Sequence, residues 1–181
     1  MRRLSCNFLA ALFLITPFLP ITLHAQRNRD PLSDQESDEV ANLRDRPNDR
    51  IKLFQKFLQQ RIDSIKSIGP HPATDDRKAD LRAKYEEFTH ITDELQDNLD
   101  TFDQAHADIR KSLKDLVPAT QKWVDLLNKQ VPGGQFDDFS RKTALEAAQS
   151  ANDEAEKLYK SQKEYFEQHK DERGKNGSGP S

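Results

Sequence analysis

LRAKYEEFTHITDELQDNLDTFDQAHADIRKSLKDLVPATQKWVDLL, residues 81–127, is the stretch whose periodicity decides the fold. Leu81, Tyr85, Phe88, Thr92, Leu95, Leu99, Phe102, His106, Ile109, Leu113, Leu116, Thr120, Trp123 and Leu127 follow alternating steps of four and three, which is a heptad repeat. Leu81, Phe88, Leu95, Phe102, Ile109, Leu116 and Trp123 form one uniformly large, apolar set, while the other set is interrupted by Thr92, His106 and Thr120. Thr74, Asp75 and Asp76 supply an N-terminal cap and negative charge for the helix dipole, and Val131-Pro132-Gly133-Gly134 closes the pattern.

Pro118 removes one backbone hydrogen bond, yet the register of Leu113, Leu116, Thr120 and Trp123 continues across it. A kinked but continuous helix is therefore expected. From about Asp76 to Gln130, at 1.5 Å per residue, it would span about 80 Å, which predicts an elongated rod. Ile91, Ala105, Val117, Ala119, Val124 and Leu126 broaden the apolar stripe beyond a two-stranded seam, so more than one helix should pack against it.

Two further helices flank this run. Pro47 to Ile68 carries Ile51, Phe54, Leu58, Ile62 and Ile65 at helical spacing, with Leu53 and Phe57 widening the face, and Gly69-Pro70 stops it. From Asp138 to about His169 the stripe is Ala144, Ala148, Ala151, Ala155, Leu158, Gln162 and Tyr165, with Ala147 and Phe166 beside it. Small residues there suit bulky ones opposite. A tight turn at Pro132-Gly133-Gly134 would set Ala144 against Thr120, Ala155 against Ile109 and Leu158 against His106; the first turn would set Ile62 against Tyr85. The expected fold is all-α, an elongated antiparallel bundle of about three long helices.

Outside the helices, MRRLSCNFLAALFLITPFLPITLHA, residues 1–25, reads as an export signal: Arg2 and Arg3 begin it, an uncharged and mostly apolar run follows, and Ala25 offers a small residue for cleavage. Pro17 and Pro20 interrupt that run, which argues against a spanning anchor. The expected location is extracytoplasmic, periplasmic or extracellular. Residues 26–46 read as a flexible polar leader, with at most a short turn around Val40–Leu43, residues 47–170 as the helical domain and 171–181 as a disordered tail. Cleavage discards Cys6, the only cysteine, so the mature chain has no disulfide, thiol nucleophile or cysteine metal site. It also takes Lys+Arg from 28 to 26 against 31 acidic residues, a balance that favours neither nucleic acid nor an anionic membrane surface.

Candidate chemistry is sparse. His106 falls on the inward stripe, where it would form a polar core layer or, with Trp123, part of a ligand layer. His71, His90 and His169 share no ligand spacing on one helix face, and no HExxH motif occurs, so no metal or cofactor is expected. Adjacent carboxylates such as Asp75-Asp76, Asp93-Glu94 and Asp137-Asp138 diverge on a helix, which suits caps and wet faces better than acid–base catalysis. Phe136, Phe139, Tyr165 and Phe166 lie near bundle ends as satellite core or partner contacts. The functional expectation is a non-enzymatic, exported interaction or scaffold protein that meets a protein partner or itself. The alternative is a helical module binding a small hydrophobic ligand or metal near His106 and Trp123.

Overall fold

The computed structural model describes residues 30–68, 74–129 and 138–174. The expected export signal, Cys6, Gly69-Pro70, His71, Pro132-Gly133-Gly134, Phe136, Asp137 and tail residues 175–181 lie outside the described residues. Within them the chain is all-α, built from α1 (Asp34–Ala41), α2 (Pro47–Ile68), α3 (Asp75–Gln104), α4 (Arg110–Asn128) and α5 (Asp138–Gln168), with a short 3-10 turn at Lys170–Glu172. Four helices are long, where three were expected. The difference arises because the heptad run is two helices.

The run breaks at residues 105–109, not at Pro118. Ala107 N–H donates to Phe102 C=O and His106 N–H to Asp103 C=O, with His106 at φ 51°. This is a Schellman end, in which the residue after the cap enters the left-handed region and its neighbours satisfy the last helical carbonyls. Glycine usually fills that position, so a histidine there gives no compositional stop signal. Phe102 and Ile109 are one heptad apart, and both are buried although the chain reverses between them. Preserved phase therefore did not mean a preserved helix.

Side-chain partners fix the helix directions. Arg61 reaches Glu87 and Arg77 reaches the Ile68 carbonyl, so α3 runs antiparallel to α2, as the first expected pairing required. Asn48 meets Ser112 and Gln59 meets Trp123, so α4 runs parallel to α2. Leu127 meets Arg141 and Thr120 meets Asn152, so α5 returns antiparallel to α4. The result is an up-down-up-down four-helix arrangement in place of the expected rod. Because α2 and α5 each pack against both α3 and α4, the two halves of the heptad run occupy one diagonal of the bundle. Phe88 and Trp123 meet across it, edge to face, with ring centroids 5.8 Å apart.

Both halves of the stripe are thus buried in one core, with His106 the exception. Ala144, Ala148, Ala151 and Ala155 are fully buried on α5, giving the close approach that their size permits. Their register differs from expectation by about two turns: Thr120 meets Asn152 rather than Ala144, and Ile109 meets Gln162 rather than Ala155. The expected pairing assumed helices running up to a tight turn, whereas α4 ends at Asn128 and α5 begins at Asp138. Polar members of the stripe are satisfied locally. The Thr92 hydroxyl donates to Phe88 C=O, and the Thr120 hydroxyl lies 2.9 Å from Val117 C=O and 2.8 Å from Asn152 Oδ1.

Pro118 lies inside α4, which continues through it. Pro118 and Lys114, whose carbonyl loses its partner, are both exposed, so water can serve that carbonyl. Pro118→Ala is expected to raise stability by about 1–3 kcal/mol, because it restores the bond and removes the ring clash. A higher urea midpoint with an unchanged slope would show this; an unchanged midpoint would contradict it.

Candidate functional site

Two structured features lie outside the four-helix core: the corner where α3 turns into α4, and the seat of α1. At the corner, α4 begins at Arg110 with Ile109 in the cap position, and isoleucine has no side-chain acceptor. Asn48 from α2 supplies one instead, its Oδ1 accepting from the Ser112 N–H at 3.1 Å while its Nδ2 donates to the Asp108 carbonyl. Gln162 from α5 works on the other side. Its Oε1 accepts from Ile109 N–H, and its Nε2 donates to Ala107 C=O and Asp103 Oδ1, each at 3.2 Å. Two side-chain amides thus replace the backbone bonds that the reversal gives up.

The C-terminal segment closes over this corner. Asp108 pairs with Arg110 and accepts from the Gly174 N–H, and the Arg110 hydrogen bond is the main reason its carboxyl lies below the usual range. The Arg110 guanidinium sits 4.6 Å from the centre of the Phe166 ring. His106 stacks on one side of Tyr165, with centroids 4.8 Å apart, and His169 also stacks on Tyr165, at 4.1 Å. The Tyr165 hydroxyl donates to Glu172 Oε2, which pushes its pKa up. Residues 171–174, expected within a disordered tail, are therefore tied to the bundle. Asp103, His106, Ser161, Gln162, Tyr165 and Phe166 line an open hollow of about 210 Å³ beside the stack.

His106 and Trp123 do not share a layer. His106 is exposed at the bundle end, displaced from the inward position by its left-handed backbone, whereas Trp123 is buried and donates its indole N–H to Gln59 Oε1. A histidine in the left-handed region costs roughly 1–2 kcal/mol, and an aromatic stack returns about as much. His106→Gly is thus expected to change stability by less than about 1 kcal/mol in chemical denaturation. A core-layer histidine would instead show a loss of several kcal/mol.

The second feature is the seat of α1. Ser33 caps this helix through a capping box with Glu36, and Leu32 and Val40 are buried against the core. Glu39 meets Lys56 and Glu36 meets Arg61, so α1 runs back along α2 as a helical hairpin. Arg61, with only 12% of its side chain exposed, is the pin. Both Glu36 oxygens accept from its terminal nitrogens, Pro31 C=O accepts at 3.0 Å, and its Nε donates to Glu87 on α3 at 3.1 Å. Phe57 and Ile91, on the flanks of the α2 and α3 stripes, are buried in the same cluster. The expected flexible leader therefore contains a docked helix. The sequence pattern behind it is Ser33-x-x-Glu36 ahead of Val40, a capping box set within a strongly polar stretch.

The Arg61 hydrogen bonds hold the Glu36 carboxyl at about 2 against an ordinary 4.5. Free Glu36 would take a proton before docked Glu36 does. The stability its ion pair contributes is therefore complete above pH 4.5 and is lost as the pH falls through about 2. The Glu94 carboxyl on α3 is shifted the other way, raised by burial and then by the charge of Asp30. A carbon-13 titration of the Glu36 carboxyl should give a midpoint near 2. A midpoint near 4.5 would mean that α1 is not seated.

Among the described residues no group of three or more His, Cys, Asp or Glu side chains is placed to hold a metal ion, and no helix is long and apolar enough to cross a membrane. His90 is exposed and His169 is half-buried against Tyr165. Thr74 caps α3 by accepting from the Arg77 N–H, and Asp75 in the first turn pairs with Lys78. On the face of α4 and α5, Val117, Tyr159, Lys160, Lys163, Glu156 and Glu164 line an open groove of about 350 Å³, and Phe139 at the start of α5 is 83% exposed. Comparison with protein-family models, with curated proteins and with solved structures returned no match.

Proposed function

We propose that this chain is an exported, non-enzymatic interaction or scaffold protein that works by docking helices against its bundle. The observation that carries the reading is α1: a helix of eight residues, outside the four-helix core, seated on α2 through Arg61, which also reaches Glu87 of α3. So short a helix is not stable alone in water, and its order comes from the surface that receives it. That surface combines flanking apolar residues with a sheltered guanidinium whose planar fork suits a carboxylate.

Export rests on residues 1–25, and it places the partner outside the cytoplasm. In vivo crosslinking of the mature chain, followed by mass spectrometry, tests the reading. Reproducible products with another extracytoplasmic protein or with a second copy are expected. A chain that stays monomeric at high concentration and yields no such product would overturn it.

A further inference from the structure

We infer that the seam between α3 and α5 is an acid-responsive clasp: in mild acid Glu154 of α5 takes up a proton and donates it to Asp100 of α3, joining two carboxylates that repel at neutral pH. The packing sets these groups together. On α5, Ala151 and Ala155 are fully buried and bring that helix close to α3, which draws Glu154, on the same side of the helix, half into the interface. Gln96 of α3 donates from Nε2 to Glu154 Oε2 at 2.6 Å and to Ser150 Oγ at 3.0 Å. Asp100, one turn further along α3, lies within hydrogen-bonding reach of the same carboxyl, and Lys157 of α5 is the other charged group acting on it. Glu154 is half-buried whereas Asp100 is exposed, so a bare charge costs more on Glu154 and the proton goes there.

Little on α3 offsets the negative charge. From Tyr85 to its end at Gln104 the helix carries seven carboxylates and no lysine or arginine. Asp93, Asp97 and Asp100 repeat at steps of four and three along one exposed face, the spacing at which like charges repel. Burial first, and then the charge and hydrogen bond of Asp100, raise the Glu154 carboxyl above its ordinary 4.5, against the Gln96 bond and Lys157. Glu94 moves the same way through burial, Asp30 and Asp97, against Arg50 and His90. A carboxyl raised on folding holds its proton more tightly in the folded chain. The stability that Glu154 contributes is therefore complete below pH 4.5 and is lost as the pH rises through its higher native value. Glu36 has the opposite sign and loses its ion pair only towards pH 2, so near pH 4.5 the clasp is closed while α1 is still seated.

Glu154→Gln tests the clasp, because its amide imitates the protonated form: it can donate to Asp100 while its carbonyl accepts from Gln96. Thermal unfolding of the purified protein and this variant is followed by circular dichroism at neutral pH and at about pH 4. The variant is expected to melt roughly 2–4 °C above the wild type at neutral pH and level with it in acid. A carbon-13 titration of the wild-type Glu154 carboxyl should give a midpoint above 4.5, and Asp100→Asn should lower that midpoint. The same melting difference at both pH values, or a wild-type midpoint at or below 4.5, would overturn the clasp. A midpoint that Asp100→Asn leaves unchanged would overturn it too, since burial alone would then account for the uptake.

Discussion

Trp123→Ala is expected to lower the unfolding free energy by about 3–5 kcal/mol. Trp123 is 1% exposed, meets Phe88 of α3 edge to face, and donates its indole N–H to Gln59 of α2. It therefore ties the diagonal pair of helices to a third. Removing it leaves a cavity and takes away the Gln59 acceptor's partner, and α5 already presents small alanines, so little side-chain volume is available to fill the gap. Trp123→Phe should cost less, about 1–2 kcal/mol, because the ring contact with Phe88 is kept and only the indole N–H and part of the volume go. Urea unfolding followed by circular dichroism measures both. Equal, small losses would mean that Trp123 is not a core residue.

Gln162→Leu is expected to cost about 2–5 kcal/mol although the change is from a polar to an apolar side chain of similar size. Leucine cannot accept from Ile109 N–H or donate to Ala107 C=O, so both backbone groups lose partners in a buried corner. Each such loss is worth about 1–3 kcal/mol. Gln162→Glu separates the roles: it keeps the acceptor for Ile109 N–H but sets a carboxylate beside Asp103 and the Ala107 carbonyl. Its destabilisation should shrink on acidification, whereas that of Gln162→Leu should not. If Gln162→Leu unfolds at the wild-type midpoint, the corner is not held by this amide.

The helices themselves were largely legible in the sequence. Pro47–Ile68 was expected with those bounds, and the Ala144 to Leu158 stripe is buried as its spacing implied. What periodicity could not convey was the reversal, because Phe102 and Ile109 keep heptad phase across it and neither glycine nor proline marks it. Its stabilising groups come from distant positions, Asn48 and Gln162, whose pairing is visible only once the helices are packed. Pro118 carried the stronger local signal for interruption and yet sits inside a helix, since its exposed face makes the lost bond tolerable. The α1 seat shows the opposite failure: the capping box was local and readable, but Arg61, which holds it, lies 25 residues away from Glu36. His106 has inward heptad phase, yet its left-handed backbone leaves it exposed.

The return of the chain at residues 105–109 determines the architecture, and one distance tests it. Cys6 is the only cysteine, so with Cys6 replaced by serine, spin labels can be placed at Glu86 on α3 and Gln121 on α4, both exposed. Pulsed electron resonance should report a separation below about 30 Å, as expected for labels on helices that lie within one four-helix bundle. A continuous helix would hold these positions about 52 Å apart at 1.5 Å per residue, and a distance near that value would contradict the fold described here.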